Sequence, residues 1–399
     1  MSILTAEFAV LRGGTEYKTT GQKISEAIFD DGSLKAGDFL LVQRGTTKYK
    51  WQISGINYSI DTSGLLDTDL LQCVDGGVAR KVTGAQFKAI IPPYYFARGV
   101  YHITNLSGTL DFQNYETAFS DTNGTVASVP LTPGSDYYVI GNTDPVVRNF
   151  ELKFGQTATF QLGPDTRTGN VENMEAMFNA YQGTSWNVAA LDTRNNKRCQ
   201  DMFAGCGNWD GAGVENFDMS KCETTRNMFG GGGVTVTADI TGWDVGNVES
   251  TQFMFEDATF NQDISGWDVS SVTTMRGMFS RTNQFNQSLN GWNVSNVTNM
   301  QGMFIGCTTF NGAIDQWVTS SATNFRDMFN GASSFNQDIG GWLTGTVTNM
   351  RSMFFNATAF DQDLSGWCVS NFTSKPIGFD GNSGFANDTA RQPIWGTCP

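Results

Sequence analysis

The pair Met-Phe returns along this chain at a spacing that leaves little choice of architecture. Its phenylalanines stand at Phe178, Phe203, Phe229, Phe255, Phe279, Phe304, Phe329 and Phe354, and Phe379 keeps the frame without its Met. The steps are 25, 26, 26, 24, 25, 25, 25 and 25 residues. A second column, Phe260, Phe285, Phe310, Phe335, Phe360 and Phe385, steps by 25 throughout, and Trp267, Trp292, Trp317, Trp342 and Trp367 make a third. Self-similarity at a fixed period of this size marks a stack of units, each burying its apolar face only against its neighbours. The sequence therefore predicts a solenoid of about 25-residue units over residues 166–399, with a terminal cap near 368–399.

Inside one unit two local patterns alternate. Val272, Met275 and Phe279 fall at i, i+3 and i+7, which predicts a short helical turn with one face inward. Leu289, Trp292 and Val294 follow a Leu-x-x-Leu-x-Leu spacing, the strand signature of a leucine-rich repeat. The register also accounts for four of the seven cysteines. Cys206 and Cys307 take the slot of Ala258, Ala332 and Ala357; Cys222 takes that of Val248, and Cys199 that of Met275. Small buried thiols are expected there. Cys368 and Cys398 lie outside such slots, in the cap, and form a candidate disulfide in an oxidising medium.

Ahead of the repeat the texture changes twice. Residues 1–93 carry a weaker repeat: Glu7 to Lys18 is echoed by Asp38 to Lys50 and by Asp69 to Lys81, the opening acid recurring every 31 residues. Each copy reads as an apolar strand, a turn carrying Gly and a second strand, the pattern of a β-hairpin. A short apolar segment follows each, at Ile24 to Ile28, Ile56 and Phe87 to Ile91. Residues 94–165 hold short β-branched and aromatic runs between Asn, Gly and Pro turns, at Gly99 to Ile103, Val126 to Val129, Asp136 to Ile140 and Ala158 to Leu162. They predict a small antiparallel β domain capping the first repeat unit. The fold class is thus mainly β with short helices. His102, the single histidine, reads as a half-buried strand residue.

Composition narrows the function classes. Only 16% of residues are charged, with 45 Gly and 30 Phe, as expected of a loop-rich, aromatic-packed chain. The formal charge of −14, from 25 basic against 39 acidic residues, disfavours nucleic acid as a partner. No apolar run approaches the ~18 to 20 residues of a membrane-spanning helix. The start, Met-Ser-Ile-Leu-Thr-Ala-Glu, lacks the regions of a signal peptide, so the protein is expected to stay where it is made. No Walker-type loop, Gly-x-Ser-x-Gly elbow or Cys-x-x-Cys occurs, and one histidine cannot serve a recurring acid/base site. The expectation is a protein without enzymatic activity or cofactor. The enzyme alternative is a glycan-degrading protein with paired carboxylates assembled in space.

Two resemblances add to these readings. The run Phe260 to Val269, the Met-Arg-Gly-Met-Phe type segment and the ending Trp367-Cys368-Val369 to Trp395-Gly396-Thr397-Cys398-Pro399 resemble the BspA-like leucine-rich repeat family of bacterial and protist surface proteins. That resemblance covers about half the chain and implies a right-handed leucine-rich-repeat-like solenoid binding cells, proteins or glycans, with no catalytic residue. Asp38 to Lys50, the following Gly55 and their echoes resemble short modules at the start of virion and fibre-like proteins of tailed phages, particularly those of marine cyanobacteria. This second resemblance implies a virion protein: residues 1–93 dock on other virion proteins, and the solenoid faces a protein or glycan of the host surface. A tail fibre, spike or head fibre fits, and a homotrimer follows by analogy with fibres. The alternatives are a purely architectural decoration protein and a bacterial surface adhesin.

The candidate binding residues come from the exceptions to the repeat. The residue after each Trp is expected on a strand and facing outward. That column reads Asp244, Asp268, Asn293, Val318, Leu343 and Cys368, passing from acidic to apolar beside a column of mostly glycine: Gly242, Gly266, Gly291, Gln316, Gly341 and Gly366. Asp263, Asp338 and Asp363, in the Asn-Gln-Asp and Asp-Gln-Asp runs, are candidate calcium ligands. Ser288 and Ala313 interrupt them, so the expectation is that no metal is bound and that the preceding Asn satisfies backbone at a bend.

Overall fold

The computed structural model describes residues 99–113, 115–120, 131–133, 137–141, 151–152, 156–164, 166, 168–184 and 186–399, together with the backbone of six earlier strands. The chain divides into two compact units, Met1–Ala97 with Ser120–Thr125, and Arg98–Phe119 with Val126–Pro399.

In the first unit the strands are β1 (Glu7–Arg12), β2 (Thr15–Thr20), β3 (Phe39–Arg44), β4 (Thr47–Gln52), β5 (Leu70–Asp75) and β6 (Val78–Thr83). β1 pairs antiparallel with β2, β3 with β4 and β5 with β6, so each sequence echo is one hairpin. β1 also pairs antiparallel with β3, giving a sheet of order β2-β1-β3-β4, while β5 and β6 form a two-stranded sheet. The apolar segments expected after each hairpin lie outside the described residues.

The second unit opens on a sheet of order β12-β7-β10-β9, formed by β7 (Val100–Ser107), β9 (Tyr115–Ser120), β10 (Tyr137–Gly141) and β12 (Thr159–Leu162). β7 is antiparallel to both β10 and β12, and the short strands β8 (Phe112–Gln113) and β11 (Glu151–Leu152) pair beside them. The strand expected at Val126 to Val129 lies outside the described residues. His102 is buried on β7. The sheet packs directly against the first repeat unit. Phe160 lies 5.6 Å from Tyr181 and 6.4 Å from Trp186, and Leu152 N–H donates to the Met177 carbonyl at 2.9 Å. An open first unit would leave these rings and backbone groups facing water, and the sheet covers them instead.

From Asn173 onward the units stack in parallel register. Single parallel bridges link Asn173, Arg198, Thr224, Ser250, Thr274, Asn299, Asn324 and Asn349 in turn. The segment after each bridge is not the helical turn that the i, i+3, i+7 pattern suggests. Met275, Gly277, Phe279 and Arg281 donate their N–H groups outward to Asn299, Gln301, Met303 and Ile305 of the next unit, while Met278, Ser280 and Thr282 donate back three residues. Left-handed residues recur on either side of the Met-Phe pair, at Gly277 and Arg281 (φ 61° and 57°) and again at Gly302 and Gly306 (φ 61° and 70°). A helix would keep its N–H groups within its own unit; alternating backbone hand shares them with the neighbour. Gly277 also has a packing reason, because a Cβ there would meet the Phe253 ring at 2.3 Å. Among the described residues the only helix is a 3-10 turn, Val214–Asn216, so the short helices expected in each unit are absent there.

The core is an array of rings. Phe304 lies 3.9 Å from Phe310 within its unit and 5.7 Å from Phe279 and from Phe329 in the units on either side. Phe285, Phe310, Phe335 and Phe360 continue at 5.6 to 6.0 Å. Each fully buried ring contributes about 1.5–3 kcal/mol relative to an exposed one. The tryptophans satisfy their buried donors across units: the indole N–H of Trp292 reaches Ile264 O at 2.9 Å, and that of Trp317 reaches Leu289 O at 2.8 Å. Cys199, Cys206, Cys222 and Cys307 are free and buried in this core.

Candidate functional site

The column after the tryptophans is exposed at Asp244, Asp268, Asn293, Val318 and Leu343. It does not lie on a strand, contrary to the Leu-x-x-Leu-x-Leu expectation. Trp267 N–H turns back to Ile264 O and Val272 N–H to Val269 O, so two turns bracket the residue and no ladder forms. The alternation inward, outward, inward nevertheless holds, since Trp267 and Val269 are buried on either side of Asp268.

In the acidic half the side chain closes its own turn. Asp244, Asp268 and Asn293 each accept, through Oδ1, the N–H two residues on, from Gly246 at 3.1 Å, Ser270 at 3.0 Å and Ser295 at 3.2 Å. These are the local side-chain to backbone bonds that favour Asp and Asn at turns. Hydrogen bonds from the Ser270 hydroxyl and backbone hold the Asp268 carboxyl below the usual carboxylate range. Stacking extends this column to residues that the tryptophan pattern does not reach. Asp192 and Asp218 occupy the same place, each accepting the N–H two residues on, from Arg194 at 3.3 Å and Ser220 at 3.0 Å. Leu191 and Phe217 stand there in place of Trp, so only a count of 26 residues back from Trp243, and 26 again, would have found them.

At Val318 and Leu343 the turn-closing acceptor is lost, and the apolar side chains stand 51% and 54% exposed. Thr319 and Thr344, where other units have Val269 or Val294, are buried and donate their hydroxyls to Leu343 O at 2.9 Å and Cys368 O at 2.8 Å. Beside the column there is open ground: a Cβ added at Gly242, Gly266, Gly341 or Gly366 would meet nothing within 4 Å. The apolar end of the column closes on the cap, where Cys368 is disulfide-bonded to Cys398 and Val369 N–H donates to Thr397 O at 2.8 Å.

The Asn-Gln-Asp runs form a structural ladder. Oδ1 of Asn261, Asn286, Asn311 and Asn336 accepts the backbone N–H of the equivalent residue one unit on, at 2.7 to 2.9 Å. Gln287, Gln337 and Gln362 donate back to the carbonyl and side chain of the Asn below. Asp263, Asp338 and Asp363 are exposed, and each spends Oδ1 on the N–H two residues on, at 2.9 to 3.0 Å. Among the described residues no three metal-ligating side chains converge, and no helix is long and apolar enough to cross a membrane.

The architecture defines a repeat protein whose constant residues face inward and whose variable column faces out. Four overlapping stretches, residues 148–233, 197–304, 232–323 and 289–392, match the family described as Mycoplasma protein of unknown function, DUF285, and together span more than half the chain. The chain belongs to that family. No curated protein and no solved structure matches it.

Proposed function

We propose that residues 166–399 form a right-handed, leucine-rich-repeat-like solenoid of the BspA-like kind, and that the chain is a non-enzymatic structural protein of a phage virion. In this reading residues 1–93 dock on other virion proteins, and the solenoid is displayed for adhesion to a host-surface protein or glycan, as a tail fibre, spike or head fibre. The observation that carries it is the column itself. Val318 and Leu343 expose apolar side chains on a constant, fully packed scaffold, at positions where neighbouring units have turn-closing Asp or Asn. An ordered face whose composition varies while its backbone does not is the usual binding surface of a stacked-repeat protein.

Mass spectrometry of purified particles tests the location: the chain is expected in the virion, and its absence overturns the reading. Particles lacking residues 171–399 are expected to assemble and fail to adsorb. Unchanged adsorption would instead make the protein an architectural decoration. The pair Val318→Asp and Leu343→Asp, which restores the turn-closing carboxylate, is expected to leave stability within about 0.5 kcal/mol, as for surface substitutions generally, while reducing adsorption.

A second reading, a bacterial surface adhesin, is favoured by the family's description as a Mycoplasma protein, that is, a protein of a cellular organism. Antibody labelling of intact cells, with no signal from particles, would establish it in place of the first.

A further inference from the structure

The three N-terminal hairpins share one plan. Each has two six-residue strands with two residues between them, and the innermost pairs are Arg12 with Thr15, Arg44 with Thr47 and Asp75 with Val78. Counted from that end, Ala9, Leu41 and Gln72 are equivalent, each the fourth residue out along the first strand. Between hairpins one and two the register is Phe8 with Val42, Ala9 with Leu41, Val10 with Leu40 and Leu11 with Phe39. Ala9 therefore faces its own equivalent, and the pairs on either side exchange places: Phe8 meets the equivalent of Val10, and Val10 the equivalent of Phe8. The contact is a quasi-two-fold joint between two copies of one hairpin.

The third hairpin has the same plan, and no fourth hairpin stands among the described residues of this unit. Among the described residues β5 pairs only with β6, and the edge that β1 and β3 use for each other is unpaired on β5. A lone two-stranded hairpin is marginal in water, and an open edge is a template for another strand. A joint that is already two-fold between non-identical hairpins becomes a true two-fold between identical ones, and such self-complementary contacts are how most homodimers close.

We infer that β5 pairs antiparallel with β5 of a second copy of this chain, making a four-stranded sheet of order β6-β5-β5-β6 across a two-fold axis. Carried over from the β1 and β3 register, Gln72 lies opposite Gln72 of the second copy, Leu71 opposite Cys73, and Leu70 opposite Val74. The assembly is a dimer, whereas analogy with fibres implies a trimer.

Light scattering on the full chain at micromolar concentration is expected to give twice the chain mass; a monomer or a trimer overturns the inference. Register is read by cross-linking in a Cys73→Ser background with oxidised glutathione, which takes up two electrons as two thiols join. Directly opposed residues in an antiparallel pair have Cα atoms about 4.5–5.5 Å apart, within disulfide range. Gln72→Cys is expected to run as a dimer on a non-reducing gel and Val74→Cys as a monomer, with equal cross-linking of both overturning the register. The free thiols at Cys199, Cys206, Cys222 and Cys307 are buried and add no background in the folded chain. Circular dichroism confirms that each variant folds. Gln72→Lys, which sets like charges opposite on the axis, is expected to weaken the dimer about two- to fivefold; an unchanged dissociation constant overturns the predicted axis.

Discussion

The early and late units of the repeat share a backbone but not a chemistry. From Phe255 to Phe360 two phenylalanine columns run unbroken, every indole N–H finds a carbonyl one unit back, and the asparagine ladder ties each bend to the next. Before residue 252 the second ring column is replaced by Trp209 and Val236, and the Met275 slot is filled by Cys199, Thr225 and Thr251. Buried atoms without a hydrogen-bond partner collect there: Asn173 Nδ2, Trp186 Nε1, Trp209 Nε1 and Thr251 Oγ1, with none in the described units after Thr251. Near-equal unit length is the condition under which each late indole N–H meets a carbonyl one unit back, although Trp243, beyond the second insert, still reaches Val214 O at 3.0 Å. The inserts at Asn208 to Gly213 and Gly230 to Val236 break that condition.

The largest effect expected from this contrast is at Phe304, fully buried and flanked by rings on three sides. Phe304→Ala is expected to destabilise the fold by about 3–5 kcal/mol in urea titration; a loss under about 1 kcal/mol would mean the late array carries less than its packing implies. Thr251→Val should act in the opposite direction. Removing a buried hydroxyl that lacks a partner is expected to stabilise by about 1 kcal/mol, and a destabilisation of that size would show that the hydroxyl is satisfied after all. Asn311→Ala removes the acceptor for Asn336 N–H and for the Gln337 amide. Its expected cost is about 1 kcal/mol, the net value of a typical hydrogen bond, read as a lowered melting midpoint.

The smallest effect concerns pH. The Asp268 carboxyl is held below its ordinary value by hydrogen bonds from Ser270. Its contribution is therefore complete above the unfolded carboxyl pKa and is lost as pH falls through the folded one. Asp268→Asn keeps an acceptor for the turn and is expected to flatten stability as pH falls below the ordinary carboxyl range, by about the contribution of one exposed carboxylate, a few tenths of a kcal/mol at most. An unchanged acid profile would place the pH dependence elsewhere.

Much of this protein could be read by counting. Phe279, Phe304 and Trp317 had to be core, because side chains returning every 25 residues on one face can be buried only by their own equivalents. The same count assigned Cys206 and Cys307 to buried slots, and the hairpins were legible from alternation and turn residues. The counting failed where two periods imitate each other. Val272, Met275 and Phe279 satisfy a helical spacing, but their N–H groups are drawn to the next unit, and that choice depends on a neighbour a whole repeat away. Asp192 and Asp218 escaped because Leu191 and Phe217 replace the tryptophan that marks the column, while their place in it comes from stacking. Which side chains repeat is local information, carried by residue type and spacing. Where each backbone hydrogen bond goes, and so which exceptions to the repeat share a surface, is decided only when one unit lies against another.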